Sequence, residues 1–159
     1  MNATSVFLHI CCGPCSLMPV VHLRNEGFDV TAFFFNPNIH PEEEYDLRRA
    51  SAQLAADKLG YPIVFAGEAQ KPARWIRELD GITMEGERCT ICYRQRLLPT
   101  AQEARKRGFR FFTTSLLYSR YQHHEAICLA AKQVARETGI SFLYRDFRPL
   151  FQAGQAFAR

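Results

Sequence analysis

Five of the chain's six cysteines fall in two short stretches. "HICCGPCSL" holds Cys11, Cys12 and Cys15, and "RCTIC" holds Cys89 and Cys92. A Cys-x-x-Cys pair has two chemistries: it cycles between dithiol and disulfide, or it chelates a metal. Residues three apart in a first helical turn point to one place, so each pair can grip one centre. If the polar loop "DGITMEGER" before Cys89 folds over the end of the first stretch, all five thiols meet. Four thiolates suit a closed tetrahedral zinc site or an iron–sulfur cluster. The adjacent Cys11 and Cys12 make an awkward zinc knuckle and sit more easily on different irons of one cluster, but spacing alone does not choose. Cys128 stands apart and is expected to be a small buried hydrophobe.

The elements that position these thiols can be read from the hydrophobic pattern. "SVFLHI" is a short apolar run ending at Cys11, and Gly13 and Pro14 open a helix that stops at Gly27. "DVTAFFFN" is a second strand and "PNIHP" a loop. A long helix runs from Pro41 to Leu59, with three Glu in its first turn and Gly60 after it. "YPIVFAG" is a third strand, and Pro72 to Leu79 is expected to be helical. A helix from about Thr90 to Lys106, the strand "FRFFTTS", a helix over His123 to Thr138 and the short strand "SFLY" complete the series. Strands alternating with helices predict a single α/β domain over residues 1–159. Its three layers are α/β/α around a mostly parallel sheet. Sites in such sheets gather beyond the carboxyl ends of the strands. There the sequence places Cys11-Cys12, Asn36, Ser115 and Arg145-Asp146.

A chain of 159 residues is long enough for one real core, and 47% apolar with 23% charged residues is ordinary for a globular protein. No stretch approaches the roughly 20 apolar residues of a membrane span, and the N-terminus lacks the basic segment of a signal peptide. The expected compartment is the cytoplasm, where structural disulfides are rare, so the cysteines point to metal or redox chemistry. The net charge of +4 is mild. Its distribution is uneven: Arg105, Lys106, Arg107 and Arg110 cluster, as do Arg94 and Arg96, and Arg148 and Arg159 have no acid after Asp146. Such patches hold phosphate backbones or form a solvated helix face.

A strand followed by CGPC at a helix start is also the arrangement of a thioredoxin-like dithiol. Against that stand Cys11 in place of the usual Trp, the second CxxC, and a chain that continues with helix, strand and helix. There is no G-x-G-x-x-G, Walker A or H-E-x-x-H motif. "HHE" at His123 to Glu125 is more in keeping with a polar first helical turn than with a metal site.

Several segments together carry a resemblance: "LHICCGPCS", "FFFNPNIHPEEEY", "ERCTICYRQRL", "FTTSLLYSRYQHHE" and "FLYRDFR". In this order they resemble the epoxyqueuosine reductases of the QueH type, over nearly the whole chain. The resemblance implies the fold of the PP-loop, adenine nucleotide alpha hydrolase-like proteins, with the cysteine motif in the place of their missing phosphate-binding "SGG". It implies reduction of epoxyqueuosine to queuosine in the wobble position of tRNA. The cofactor would be a 4Fe–4S cluster on Cys11, Cys12, Cys89 and Cys92. A further metal ion, an iron, would lie beside it with Cys15 as a ligand. The implied partners are that tRNA and an electron donor, with no membrane. The family's further C-terminal segment, which bears a CxC pair, has no counterpart in this chain.

The implied chemistry removes an epoxide oxygen to leave an alkene, which takes two electrons and two protons with water leaving. Clusters pass electrons singly, and an open iron or neighbouring metal would supply a Lewis acid for the epoxide oxygen. A nearby acid delivers a proton; Asp146, Tyr144 and Tyr121 are the candidates. Asp146, between Arg145 and Arg148, equally fits a plain ion pair. Asn36, Asn38 and His40 shape the substrate pocket or only serve the turn. The Arg cluster would hold the anticodon stem-loop. Two other functions fit the cysteines: a thiol–disulfide oxidoreductase working through Cys12 and Cys15, and a zinc-stabilised RNA-binding module.

Overall fold

The structure, a computed structural model, describes residues 4–36, 39, 41–66, 85–119 and 122–151, the side chains of 85–89 excepted. The elements are β1 (Ser5–Ile10), α1 (Gly13–Asn25), β2 (Asp29–Phe34), α2 (Glu42–Leu59), β3 (Ile63–Phe65), α3 (Glu85–Lys106), β4 (Phe111–Thr114), α4 (His124–Thr138) and β5 (Ser141–Phe142). The expected helix over Pro72 to Leu79 lies outside the described residues.

All six residues of β1 are buried, as a strand covered on both faces requires. It is the centre of a five-stranded sheet of order β3-β2-β1-β4-β5, and every pairing is parallel. The expected three-layer α/β/α architecture is therefore present. After β3 the chain returns across β1 to build β4 and β5. Because parallel crossovers are right-handed, this reversal sends α1 and α2 to one face and α3 and α4 to the other. Accordingly α1 packs on α2, and α3 packs on α4. The reversal opens a crevice between the carboxyl ends of β1 and β4, the position where sheets of this kind take ligands.

Aromatic side chains fill the core. Phe7 stacks on Phe33 at 4.9 Å and meets Phe109 at 5.0 Å. In α4 the buried residues Ile127, Ala130, Ala131 and Val134 form the stripe that the sequence predicts. On α3 the buried stripe is Tyr93, Arg96, Leu97, Thr100, Ala101 and Ala104, which puts one arginine among apolar groups.

Two boundaries differ from expectation in ways that matter for the site. Helix α3 begins at Glu85, more than a turn before Thr90, so Cys89 and Cys92 lie inside the helix rather than at its start. Glu85 and Glu87 suit a helix N-terminus, and the glycine between them is one weak helix former in a turn that is otherwise unbroken. Strand β5 is two residues long and pairs only with the start of β4. Arg145 therefore stays low and donates to Glu26, just past the C-terminal end of α1, at 2.9 Å. It does not reach the rim where the thiols lie.

Candidate metal centre

Cys11 and Cys12 form the bend between β1 and α1, Cys12 is the N-cap of α1, and Cys15 lies in its first turn. Their three sulfurs lie within 4.8 Å of one another, and all three residues are half-buried. The local geometry depends on Gly13. A Cβ there would lie 2.2 Å from the carbonyl oxygen of Ser51, so α1 approaches α2 as closely as only glycine allows. The Gly13 N–H donates to Ser51 Oγ at 3.0 Å and ties the two helices at that point.

Beneath the thiols lies a buried polar network that spans three strands. His9, with no exposed surface, places Nδ1 2.9 Å from Thr114 Oγ1 and Nε2 3.1 Å from both Phe35 O and Asn36 Oδ1. Asn36 donates back to Ile10 O at 3.0 Å. Burial, with the field of Arg96, pulls the His9 imidazole down to about 4, so it is neutral at pH 7. Asn36 is thus a clamp between β1 and β2, 1% exposed; its backbone O also accepts from Ile39 N at 3.3 Å, as a turn residue's does, and it is not a pocket wall. Asn38 and His40 lie outside the described residues.

The thiols divide their protons unequally. Hydrogen bonds from Cys12 and Cys15 hold the Cys11 thiol well below its usual range despite burial. The same bond to Cys11 pushes Cys12 up to about 12, and bonds to Cys11 and Cys12 raise Cys15. The cradle thus favours a single thiolate, on Cys11, with Cys12 and Cys15 donating to it beside the N-terminus of α1, whose dipole also favours negative charge. Ser115, just beyond β4, brings its Oγ to 4.0 Å from Cys11 Sγ across the crevice.

Two cavities open here. One of about 410 Å³ lies over Cys11, Cys12 and Cys15, with Arg48, Ser51 and Ser115 in its walls. The other, about 260 Å³, lies between Cys11 and Cys92 and is walled by Tyr93, Arg96, Arg48 and His123 among others. Cys92 of the second stretch therefore faces the same space as Cys11 of the first. The Cys89 side chain lies outside the described residues. Burial lowers the Arg48 guanidinium, but its hydrogen bond to Glu44 and the field of Cys11 and Cys12 outweigh this and raise it. A set of thiols flanked by two guanidinium groups and a helix N-terminus fits a thiolate-bound centre of net negative charge.

The other candidates lie elsewhere. Neither Tyr144 nor Asp146 lines these two cavities. Tyr144 OH is 2.8 Å from His124 Nε2, at the start of α4. Asp146 accepts two hydrogen bonds from the Arg148 guanidinium, at 2.8 and 2.7 Å. These hold its carboxyl down at about 2. Tyr121 lies outside the described residues. Cys128 is half-buried and packs against the core, less enclosed than expected. Arg105, Arg107 and Lys106 end α3, about 20 Å along the helix from Cys92 at 1.5 Å per residue. Arg105 donates to Thr138 O and Arg107 to Glu103. That basic cluster stands at the opposite edge of the sheet from the thiols.

Sequence reasoning gave no site role to His9 and Ser51, read Gly13 only as the opening of a helix, and read Arg96 as part of a basic patch with Arg94. Arg96 carried a signal: it falls four residues after Cys92 and on the apolar stripe of α3. His9 carried one too, as the sole polar ring in an otherwise apolar strand.

Strand β5 pairs parallel to β4, whereas a thioredoxin-like chain would end on an antiparallel hairpin. Among the described residues no helix is long and apolar enough to cross a membrane.

Comparison with known proteins bears on the fold and the family. A predicted tRNA methyltransferase subunit from Methanocaldococcus jannaschii superposes with a TM-score of 0.63 at 14% identity, covering 98% of this chain and 74% of its own, a likeness of fold. "Epoxyqueuosine reductase QueH" of Dehalococcoides mccartyi is 31% identical over 146 residues, 92% of this chain and 79% of that protein. The protein of the same name from Streptococcus pyogenes serotype M1 is 31% identical over 151 residues, 91% of this chain and 59% of its own length. The family model described as "Epoxyqueuosine reductase QueH" matches residues 6–159, and the chain belongs to that family.

Proposed function

We propose that this chain reduces epoxyqueuosine to queuosine in tRNA, at a centre held by Cys11, Cys12, Cys89 and Cys92, with Cys15 beside it as ligand to a further metal ion. The observation that carries the proposal is the convergence of Cys11, Cys12 and Cys15 within 4.8 Å, at the crevice that Cys92 faces from α3. A 4Fe–4S cluster at this position would supply single electrons to the bound substrate. The chain's own groups do the rest. The larger cavity, with Leu47 and Arg48 on its wall, receives the modified nucleoside. Ser115 Oγ, beside Cys11, is placed to hydrogen-bond an oxygen that enters there.

The proton donor is sought among Tyr144, Tyr121 and Asp146. Tyr144 and Asp146 both lie outside the two cavities and differ in what they can donate: the Tyr144 phenol keeps its proton at neutral pH, and burial raises it further. Asp146, held by Arg148, is a carboxylate at that pH and accepts hydrogen bonds rather than donating one. The domain is proposed to be a single unit, with tRNA and an electron donor as its partners.

The test is anaerobic purification followed by assay of iron, acid-labile sulfide and zinc. About four irons and four sulfides per chain are expected. Cys92→Ser and Cys89→Ser are each expected to lose most of that content, together with turnover of epoxyqueuosine tRNA. A colourless protein with stoichiometric zinc after anaerobic reconstitution would overturn the cluster.

A further inference from the structure

Arg96 is the most enclosed cation among the described residues. It is 5% exposed and sits on the buried stripe of α3, one turn after Cys92. Its Nε donates to Cys92 O at 3.4 Å, and its Nη2 reaches Cys92 Sγ at 3.5 Å. The guanidinium also lies over the Tyr93 ring at 5.3 Å. No carboxylate among the described residues forms an ion pair with it. A guanidinium cannot shed its proton to escape burial, so a buried one demands an anion. The group opposite is the thiol cradle: Arg96 lines the cavity between Cys11 and Cys92.

We infer that Arg96 is the built-in counter-charge of the multi-thiolate centre, a positioning residue that holds negative charge on sulfur and sets the centre's redox poise. It rests on the thiolate-centre proposal above. Four thiolates leave a bound metal group with net negative charge, and Arg96 supplies a fixed positive charge and a donor to one of those sulfurs. Donors and cations near cluster sulfurs favour the reduced, more negative state.

The role has a signature that packing alone does not produce. In the metal-free protein Arg96 lacks its full counter-ion. Arg96→Met keeps much of the volume and removes the charge, so the metal-free variant is expected to be as stable as the parent or more stable. In the loaded protein the sign reverses. Arg96→Met is expected to lose metal at least tenfold more readily to a chelator. Any reconstituted cluster is expected to have a reduction equilibrium at least tenfold less favourable, which for one electron is about 59 mV lower. Arg96→Lys keeps the charge without the fork and is expected to fall between the two.

Thermal unfolding of metal-free and loaded forms, chelator competition and a redox titration followed by visible absorbance read all of this. Equal destabilisation of metal-free and loaded Arg96→Met, or an unchanged metal affinity, would overturn the inference. If the wild-type protein takes up zinc and no iron or sulfide, the cluster proposal fails. The sign reversal measured with zinc then decides the role of Arg96 alone. A protein that binds neither metal overturns both.

Discussion

Replacing Gly13 with alanine tests whether the cradle depends on the close approach of α1 to α2. Gly13 is the first residue of α1, and in an ordinary helix alanine is preferred to glycine by up to about 1 kcal/mol. Here the new methyl would stand 2.2 Å from Ser51 O, a backbone atom that no rotamer change can move. Ordinary contact begins near 3.4 Å, so one helix must shift by about 1 Å. Overpacking of this kind costs about 1–3 kcal/mol, and the bond from Gly13 N–H to Ser51 Oγ, worth about 1 kcal/mol, is stretched or lost. The sum is roughly 2–4 kcal/mol, or about 4–16 °C in Tm for a chain of this size. Ser51→Ala is the control, because it removes the hydrogen bond and, with Gly13 kept, introduces no clash. It is expected to cost about 1 kcal/mol. Since Cys12 and Cys15 flank Gly13, the shift also carries two sulfurs away from Cys11, and metal content is expected to fall with stability. Thermal unfolding and metal analysis of both variants measure this. A Gly13→Ala protein as stable as the parent, with full metal, would show that the helices do not meet there and would refute the reasoning.

Other outcomes follow from the same geometry. Phe112→Ala, at a site with no exposed surface beside the Phe142 ring, is expected to cost about 3–5 kcal/mol in urea unfolding. Acid is expected to weaken the metal-free protein through His9. Its folded pKa of about 4 lies below the unfolded 6.5, so its contribution is whole above pH 6.5 and is lost as pH falls to about 4. That loss is of order 3 kcal/mol, and a flat stability profile across this window would contradict the buried network. Tyr144→Phe is expected to slow turnover at least tenfold with iron and sulfide unchanged. Asp146→Asn is expected to change turnover less than twofold, and the reverse result would exchange their roles.

Much of the fold was legible because its strands are apolar runs and its helices end in glycine. Gly60 and Gly139 both stand in the left-handed conformation that closes a helix. The thiol cradle was legible too, since a strand end followed at once by a helix N-terminus leaves Cys11, Cys12 and Cys15 little choice of direction. What escaped was what depends on distant contacts. Arg96 looked like half of a surface phosphate patch with Arg94, yet one residue of helical phase more or less decides burial. Arg94 pairs with Glu137 at 2.7 Å near the surface, whereas Arg96 turns inward. The turn role of Asn36 was legible, but its clamp role was not, because the partners of its side chain, His9 and Ile10, lie 27 and 26 positions away. The direction of Arg145 could not be read because it depends on how soon β5 leaves the sheet.

The two cysteine stretches that face one crevice are separated by the 73 residues between Cys15 and Cys89. A ribosome takes about 4–15 s to cross that interval at 5–20 residues per second. During it the nascent chain offers three thiols and no more, and β1 still lacks β4, the neighbour that forms the other wall of the crevice. Three free thiols are already a competent trap for zinc. The order of synthesis therefore exposes the first stretch to metal before the second exists. For the cluster proposed above, loading belongs after α3 and β4 have docked, when the second stretch faces the crevice.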